Sequence, residues 1–165
     1  HDRGSDIYGC DLVTGEEFVV VQGSGSRHSL RSSGDVVVWQ QQEEGSEDSD
    51  IYAYNLSTKT SFSVGAQEEN QTSPDIDGDT VVWEDWRTED FQIDIYGYDL
   101  VTGTEIVIRA CEGITERFPK VSGDTVIWIS GGDLYGARLS RSDETGTIEP
   151  CPPDDEIDEV PVEAR

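Results

Sequence analysis

The chain has 165 residues, enough for one ordinary domain with a real core, and carries 36 acidic against 11 basic residues for a formal net charge of -25. That balance disfavours nucleic acid, whose binding draws on Lys and Arg for counterion release, and an anionic membrane surface would repel the chain as well. No stretch approaches the ~20 apolar residues of a membrane span, and the acidic residues alternate with Trp, Tyr, Val and Ile, so the chain does not read as a disordered acidic tract.

In chain order, the first elements are Asp6-Ile7-Tyr8 and Glu17-Phe18-Val19-Val20-Val21, two short strands joined by a turn. The pattern Asp-(Ile/Leu)-Tyr-(Gly/Ala) returns at Asp50, Asp94 and Asp133, after intervals of 44, 44 and 39 residues. A second element, Gly-Asp-(Thr/Val)-Val, begins at Gly34, Gly78 and Gly123 and runs to Trp39, Trp83 and Trp128. The best-formed unit shows the sequence of events. Ser73 to Asp77 reads as a first strand, Gly78-Asp79 as a turn and Thr80 to Asp85 as a β-branched second strand. Asp94 to Leu100 gives a third strand, Thr102-Gly103 a turn, and Thr104 to Ile108 an outer strand. No window shows helical periodicity. Self-similarity at this period, with four short antiparallel strands per unit, predicts an all-β fold, a small β-propeller of about four blades.

The elements Pro-Asp-Ile-Asp-Gly-Asp, Val-Val-Trp-Glu-Asp-Trp-Arg and Asp-Ile-Tyr-Gly-Tyr-Asp-Leu-Val-Thr-Gly resemble TolB-like propeller repeats, especially those of prokaryotic secreted and surface proteins. The likeness runs to about Pro150. Ile-Asp-Gly-Asp or Val-Ser-Gly-Asp stands where Trp-Ser-Pro-Asp-Gly is usual. The resemblance implies that the strand begun by Pro is innermost and the strand after Thr-Gly outermost.

Phase then sets the boundaries. A half blade spans 6–22, full blades span 29–65, 73–110 and 118–149, and a proline-rich acidic tail spans 151–165. In the tail, Pro152 to Glu156 reads as a linker stiffened by proline. Ile148 to Pro161 repeats the 13-residue spacing of Ile106 to Pro119, so Val160-Pro161-Val162 falls where an inner strand begins. A fourth, composite blade would take that inner strand from the C-terminus and two outer strands from the N-terminus, with its second strand missing. The assembly interface is therefore expected at Ile7, Tyr8, Val160, Pro161 and Val162, with the partner another copy of the chain.

The remaining candidates are weaker in motif. Trp39, Trp83 and Trp128, with Tyr52, Tyr96 and Tyr135, are expected to pack blade against blade, while Trp86 lies outside the repeat register and reads as an exposed contact. Asp75, Asp77 and Asp79 alternate as calcium ligands can, but turn chemistry accounts for Gly-Asp and the EF-hand pattern is absent; no cofactor is expected beyond this weak calcium candidate. His1 has only His28, in an expected loop, as a second imidazole, too few ligands for a copper-binding histidine brace. Of three cysteines, Cys111 and Cys151 each follow the last strand of a repeat and are expected to pair, leaving Cys10 free or bridging to another subunit; three thiols in a reducing compartment is the alternative. No nucleophile elbow, zinc-ligand pair or phosphate loop is present, so no catalytic residue is assigned. The expectation is a non-enzymatic extracellular or cell-surface protein that self-assembles, or else a binding module of a larger surface protein.

Overall fold

The computed structural model describes residues 5–87, 92–111 and 113–139. Among them are thirteen strands and no helix, arranged in four antiparallel sheets. The first sheet has two strands, β1 (Ile7–Cys10) and β2 (Glu17–Val21). The second has four, β3 (Ser26–Ser33), β4 (Val36–Gln42), β5 (Ser49–Asn55) and β6 (Thr60–Gly65). The third repeats it with β7 (Gln71–Asp77), β8 (Thr80–Asp85), β9 (Asp94–Asp99) and β10 (Thr104–Arg109). The fourth has β11 (Glu116–Ser122), β12 (Thr125–Ser130) and β13 (Asp133–Arg138). Residues 140–165, which include Cys151, Val160, Pro161 and Val162, lie outside the described residues.

The turn and strand chemistry follows from a few positions. Gly34, Gly78 and Gly123 stand first in their two-residue Gly-Asp turns with φ of 53°, 56° and 59°. Positive φ there is what a tight hairpin asks of its first turn residue, and Gly meets it without a Cβ clash. The inner strands β3, β7 and β11 begin two or three residues earlier than 29, 73 and 118. Each carries a bulge: the register shifts between His28 and Arg31, Thr72 and Asp75, and Arg117 and Lys120. Ser29, Ser73 and Phe118 adopt φ of 55°, 55° and 58° at these bulges. In each, two residues of the inner strand stand opposite one of the second strand, Trp39, Trp83 and Trp128 respectively, so each bulge holds one extra residue. It also accommodates Pro74 and Pro119, whose missing N–H would break a regular ladder. His28, expected in a loop, is therefore inside β3.

Each tryptophan packs backwards onto the preceding sheet. Trp39 joins Ile7 and Val20 of the two-stranded sheet. Trp83 meets Val38, Ile51, Ala53 and Val64. Trp128 meets Val82, Ile95 and Ile108. Their exposures are 1%, 0% and 5%, and a Cβ added to Gly65 would sit 3.1 Å from the Trp83 ring, so the sheets close tightly. Across their own sheets the same residues pair with Tyr52, Tyr96 and Tyr135. The rings of the first and third pairs stack at 6.3 and 6.4 Å, whereas Tyr96 takes the Arg87 guanidinium over its face at 3.9 Å.

Because Trp83 carries the contact between the two complete sheets, Trp83→Ala is expected to lower unfolding free energy by about 3 to 5 kcal/mol in urea titration, and Trp83→Phe by distinctly less. Equal losses for both would show that the indole hydrogen bond, not the packing, holds that interface.

Candidate functional site

The inner edges β3, β7 and β11 lie side by side and are joined by side chains. Ser33 Oγ accepts from Gly78 N (2.9 Å), and Asp77 Oδ2 accepts from Gly123 N (2.7 Å) at the equivalent place one blade on. Asp75 Oδ2 accepts from Val121 N (3.2 Å), and Glu84 Oε1 accepts from Phe118 N at the bulge (2.8 Å). Arg31, Asp75 and Lys120 occupy one repeat position in three successive inner strands, and the aspartate is shared between the cations at 3.4 and 3.5 Å. Of the weak calcium candidates, Asp75 and Asp77 thus engage the next blade, while Asp79 lends its backbone carbonyl to Leu100 N (2.8 Å). Among the described residues, no group of three or more His, Cys, Asp or Glu side chains is arranged to hold a metal ion.

A second cluster sits where the third and fourth sheets meet. The indole N–H of Trp39 donates to Gln41 Oε1 (3.0 Å) and that of Trp83 to Asp85 Oδ2 (2.9 Å). Ser130 holds the corresponding place beside Trp128, whose Nε1 is buried without a partner. Arg27, Gln71 and Glu116 likewise share one buried position. Arg27 is fully used, donating to Gln41 Oε1 (2.8 Å) and to the Ser5 and Ser24 carbonyls. Glu116 instead faces Arg109 at 3.5 Å, and neither of its oxygens makes a hydrogen bond. Asp94 Oδ1 is also unpartnered. Burial, then the nearby Asp85 charge, pushes Asp94 up to about 6. Burial, then Asp94, pushes Glu116 up to about 7. Asp85 itself is held by Arg87 at 2.6 Å, and Arg87 reaches on to Glu105 at 2.9 Å. Only the repeat phase could have found Glu116, because Arg27, Gln71 and Glu116 share a position and not a type, whereas Asp94 heads the recurrent Asp-(Ile/Leu)-Tyr pattern.

The expected assembly edge is at β1. Its one strand partner among the described strands is β2. Alternation separates the two edge residues. Ile7 is 6% exposed and belongs to the core beneath Trp39, whereas Tyr8 is 56% exposed. The Tyr8 hydroxyl accepts from Gln22 Nε2 (2.9 Å). Beside β1 runs a groove of ≈ 520 Å³ whose walls include Tyr8, Cys10, Phe18, Leu30 and Arg31. Cys10 is free and exposed, and Cys111 is buried. Trp86 is half-buried, and it donates to Thr72 Oγ1 at 3.3 Å. At the opposite end of the stack, Phe118, Ile127, Ile129 and Leu134 are 57%, 38%, 39% and 60% exposed.

No protein-family model matches the chain, and no curated protein matches its sequence. Solved structures do match its fold. TolB from Acinetobacter baumannii superposes with a TM-score of 0.53 at 20% identity, over 83% of this chain and 33% of that one. A structure described as putative TolB from Agrobacterium tumefaciens gives 0.52 at 17% identity, over 72% and 43%. The computationally designed Ika4 protein gives 0.54 at 15% identity, over 82% and 80%. The fold is therefore a TolB-like β-propeller, and the chain spans less than half the length of either TolB structure. No helix among the described residues is long and apolar enough to cross a membrane.

Raised carboxyl pKa values mean that folding favours the protonated acids, so their contribution is complete below about pH 4 and is lost as pH rises through about 6 and 7. Glu116→Gln is expected to match the parent near pH 4 and to exceed it by about 1 to 3 kcal/mol at pH 8 in urea titration. A variant less stable than the parent at pH 8 would contradict this account of the cluster.

Proposed function

We propose that this chain is a non-enzymatic extracellular structural protein, a TolB-like propeller that assembles with copies of itself into a filament or surface lattice through its incomplete terminal blade and C-terminal tail. One observation carries the reading: the terminal sheet has two described strands where its neighbours have four, and β1 has no described partner on its inner side. An open edge offers backbone N–H and C=O groups to an added strand. The apolar groove beside β1 and the apolar outer face of β12 lie at opposite ends of the stack, and such unlike ends suit a heterologous contact, which propagates where rotation does not close a ring. In this reading the Val160-Pro161-Val162 segment of one copy takes the inner-strand place on the next. The polar groups inside the stack hold blades to one another, which suits a scaffold.

A second reading is favoured by the 33% and 43% coverage of the TolB structures: a binding module within a longer surface protein. The two separate by intact mass of the native protein, close to 18.2 kDa for the first and much more for the second. For the assembly itself, deletion of Asp154 to Arg165 is expected to collapse the scattering mass to that of single chains. An unchanged assembly size after this deletion would sink the proposal.

A further inference from the structure

Beyond the tryptophan, the second strands of the three later sheets diverge. Trp39 is followed by Gln40, Gln41, Gln42 and Glu43, and Trp83 by Glu84, Asp85, Trp86 and Arg87, but Trp128 by Ile129, Ser130, Gly131 and Gly132. The way to the third-strand tyrosine is shorter too: Trp39 to Tyr52 and Trp83 to Tyr96 are 13 positions each, Trp128 to Tyr135 only 7. In the second and third sheets the residue two after the tryptophan accepts its indole N–H, through Gln41 Oε1 (3.0 Å) and Asp85 Oδ2 (2.9 Å). The residue four after it then holds that acceptor. Glu43 accepts from Gln41 Nε2 (2.6 Å), and Arg87 Nη2 donates to Asp85 (2.6 Å). The fourth sheet has a short serine and two glycines in their place, and the buried Trp128 Nε1 has no partner among the described residues.

A cavity of ≈ 410 Å³ lies there, with walls that include Arg109, Thr115, Trp128, Ser130, Asp133 and Tyr135. Its volume falls in the range of small-molecule sites. The Trp128 and Tyr135 rings are nearly parallel, 19° apart with centroids at 6.4 Å, and form an aromatic wall. Around it the indole N–H and Arg109 can donate, Asp133 can accept, and the hydroxyls of Thr115, Ser130 and Tyr135 can do either. Arg109 meets Glu116 at 3.5 Å without a hydrogen bond to it. The one cation and the one carboxylate of the wall offset each other, so neither an anion nor a cation is favoured, and the net charge of -25 repels anions further. A neutral molecule with an apolar face and a rim of hydroxyls matches these groups. We infer that this cavity binds a single neutral sugar ring. The C–H face of the ring lies on Tyr135, and one hydroxyl oxygen accepts the Trp128 indole N–H, as Gln41 and Asp85 do for the other two tryptophans. Neighbouring hydroxyls donate to Asp133 and accept from Arg109. The site is independent of the terminal edge at β1, so it and the proposed assembly can fail separately.

The probes are methyl glucoside, methyl galactoside and methyl mannoside, titrated onto the full chain while the indole N–H signals are followed by nuclear magnetic resonance. At least one is expected to move the Trp128 indole signal saturably at millimolar concentration and to leave that of Trp83, whose N–H is already taken, in place. Tyr135→Ala is expected to weaken binding about tenfold, the scale of an aromatic face with its burial. Ser130→Gln gives Trp128 the amide that Gln41 gives Trp39, and in a chain whose circular dichroism is unchanged it is expected to abolish binding. Because this second variant fills the cavity instead of emptying it, loss of binding there is not loss of fold. No saturable shift of the Trp128 signal with any of the three sugars, or binding retained by Ser130→Gln, overturns the inference. An equal or larger shift with benzoate or guanidinium overturns the neutral ligand class.

Discussion

The structure depends on one repeated contact, a tryptophan on the second strand of each sheet driven into the face of the sheet before it. A four-stranded sheet of this size buries too little by itself, and a two-stranded one is marginal in water. Stacking supplies the missing burial, and in each interface a single indole provides the largest apolar body. A bulge stands opposite each of these indoles, where two residues of the inner strand span the place of one. Ser29, Ser73 and even the bulky Phe118 accept a left-handed backbone there, a conformation that costs roughly 1 to 3 kcal/mol and persists where the surroundings over-determine it. The smallest sheet owes most to this contact, since Ile7 and Val20 are buried under Trp39.

Polar chemistry follows the same stacking order. The chain carries 36 acidic side chains, and a few of them are joints between blades. Asp75, Asp77 and Glu84 each accept a backbone N–H from the following blade, and Asp85 closes an indole donor while bound by Arg87. A carboxylate reaching across an interface satisfies a donor that neither sheet could satisfy alone, and charge-assisted bonds of this kind are the stronger ones. Asp94 and Glu116 break the pattern, because both are buried with side-chain oxygens that accept no hydrogen bond, although Glu116 faces Arg109 at 3.5 Å. They mark the interface where close packing was kept and electrostatic balance was not.

The parts of this fold that were legible in the sequence are those where one residue type returns at one place. Asp-Ile-Tyr, Gly-Asp and the second-strand tryptophans announce strands and turns because backbone geometry demands the same chemistry each time. The bulges were hidden, since the serine shared by positions 29 and 73 gives way to Phe118 in the third case and none of the three is a residue that favours a left-handed backbone. That concealment is what moved His28 from an expected loop into β3. The position shared by Arg27, Gln71 and Glu116 was equally opaque: a buried polar site can be satisfied by a cation, an amide or an acid, provided its neighbours change too. At the candidate edge, Ile7 and Tyr8 read as a pair along the chain, yet the two-residue period of a strand sends one into the core and the other to the surface.

Stability and association are coupled in such a stack. Repeats that contact only their neighbours need polar faces on the terminal units to remain separate. Among the described residues, the first sheet presents Tyr8, Leu12 and Phe18 and the fourth Ile127, Ile129 and Leu134, so both present apolar side chains to solvent. What opposes association is long-range: a net charge of -25 on every copy. Repulsion of this kind is screened beyond about 10 Å at 0.1 M salt, whereas strand pairing and aromatic contact act within a few ångströms and are not. On the assembly proposed above, ionic strength sets whether copies approach, and the chemistry of the open blade sets what they do on contact. On that proposal an acidic surface and an open strand edge are complementary features, one withholding association at low salt and the other directing it at high salt.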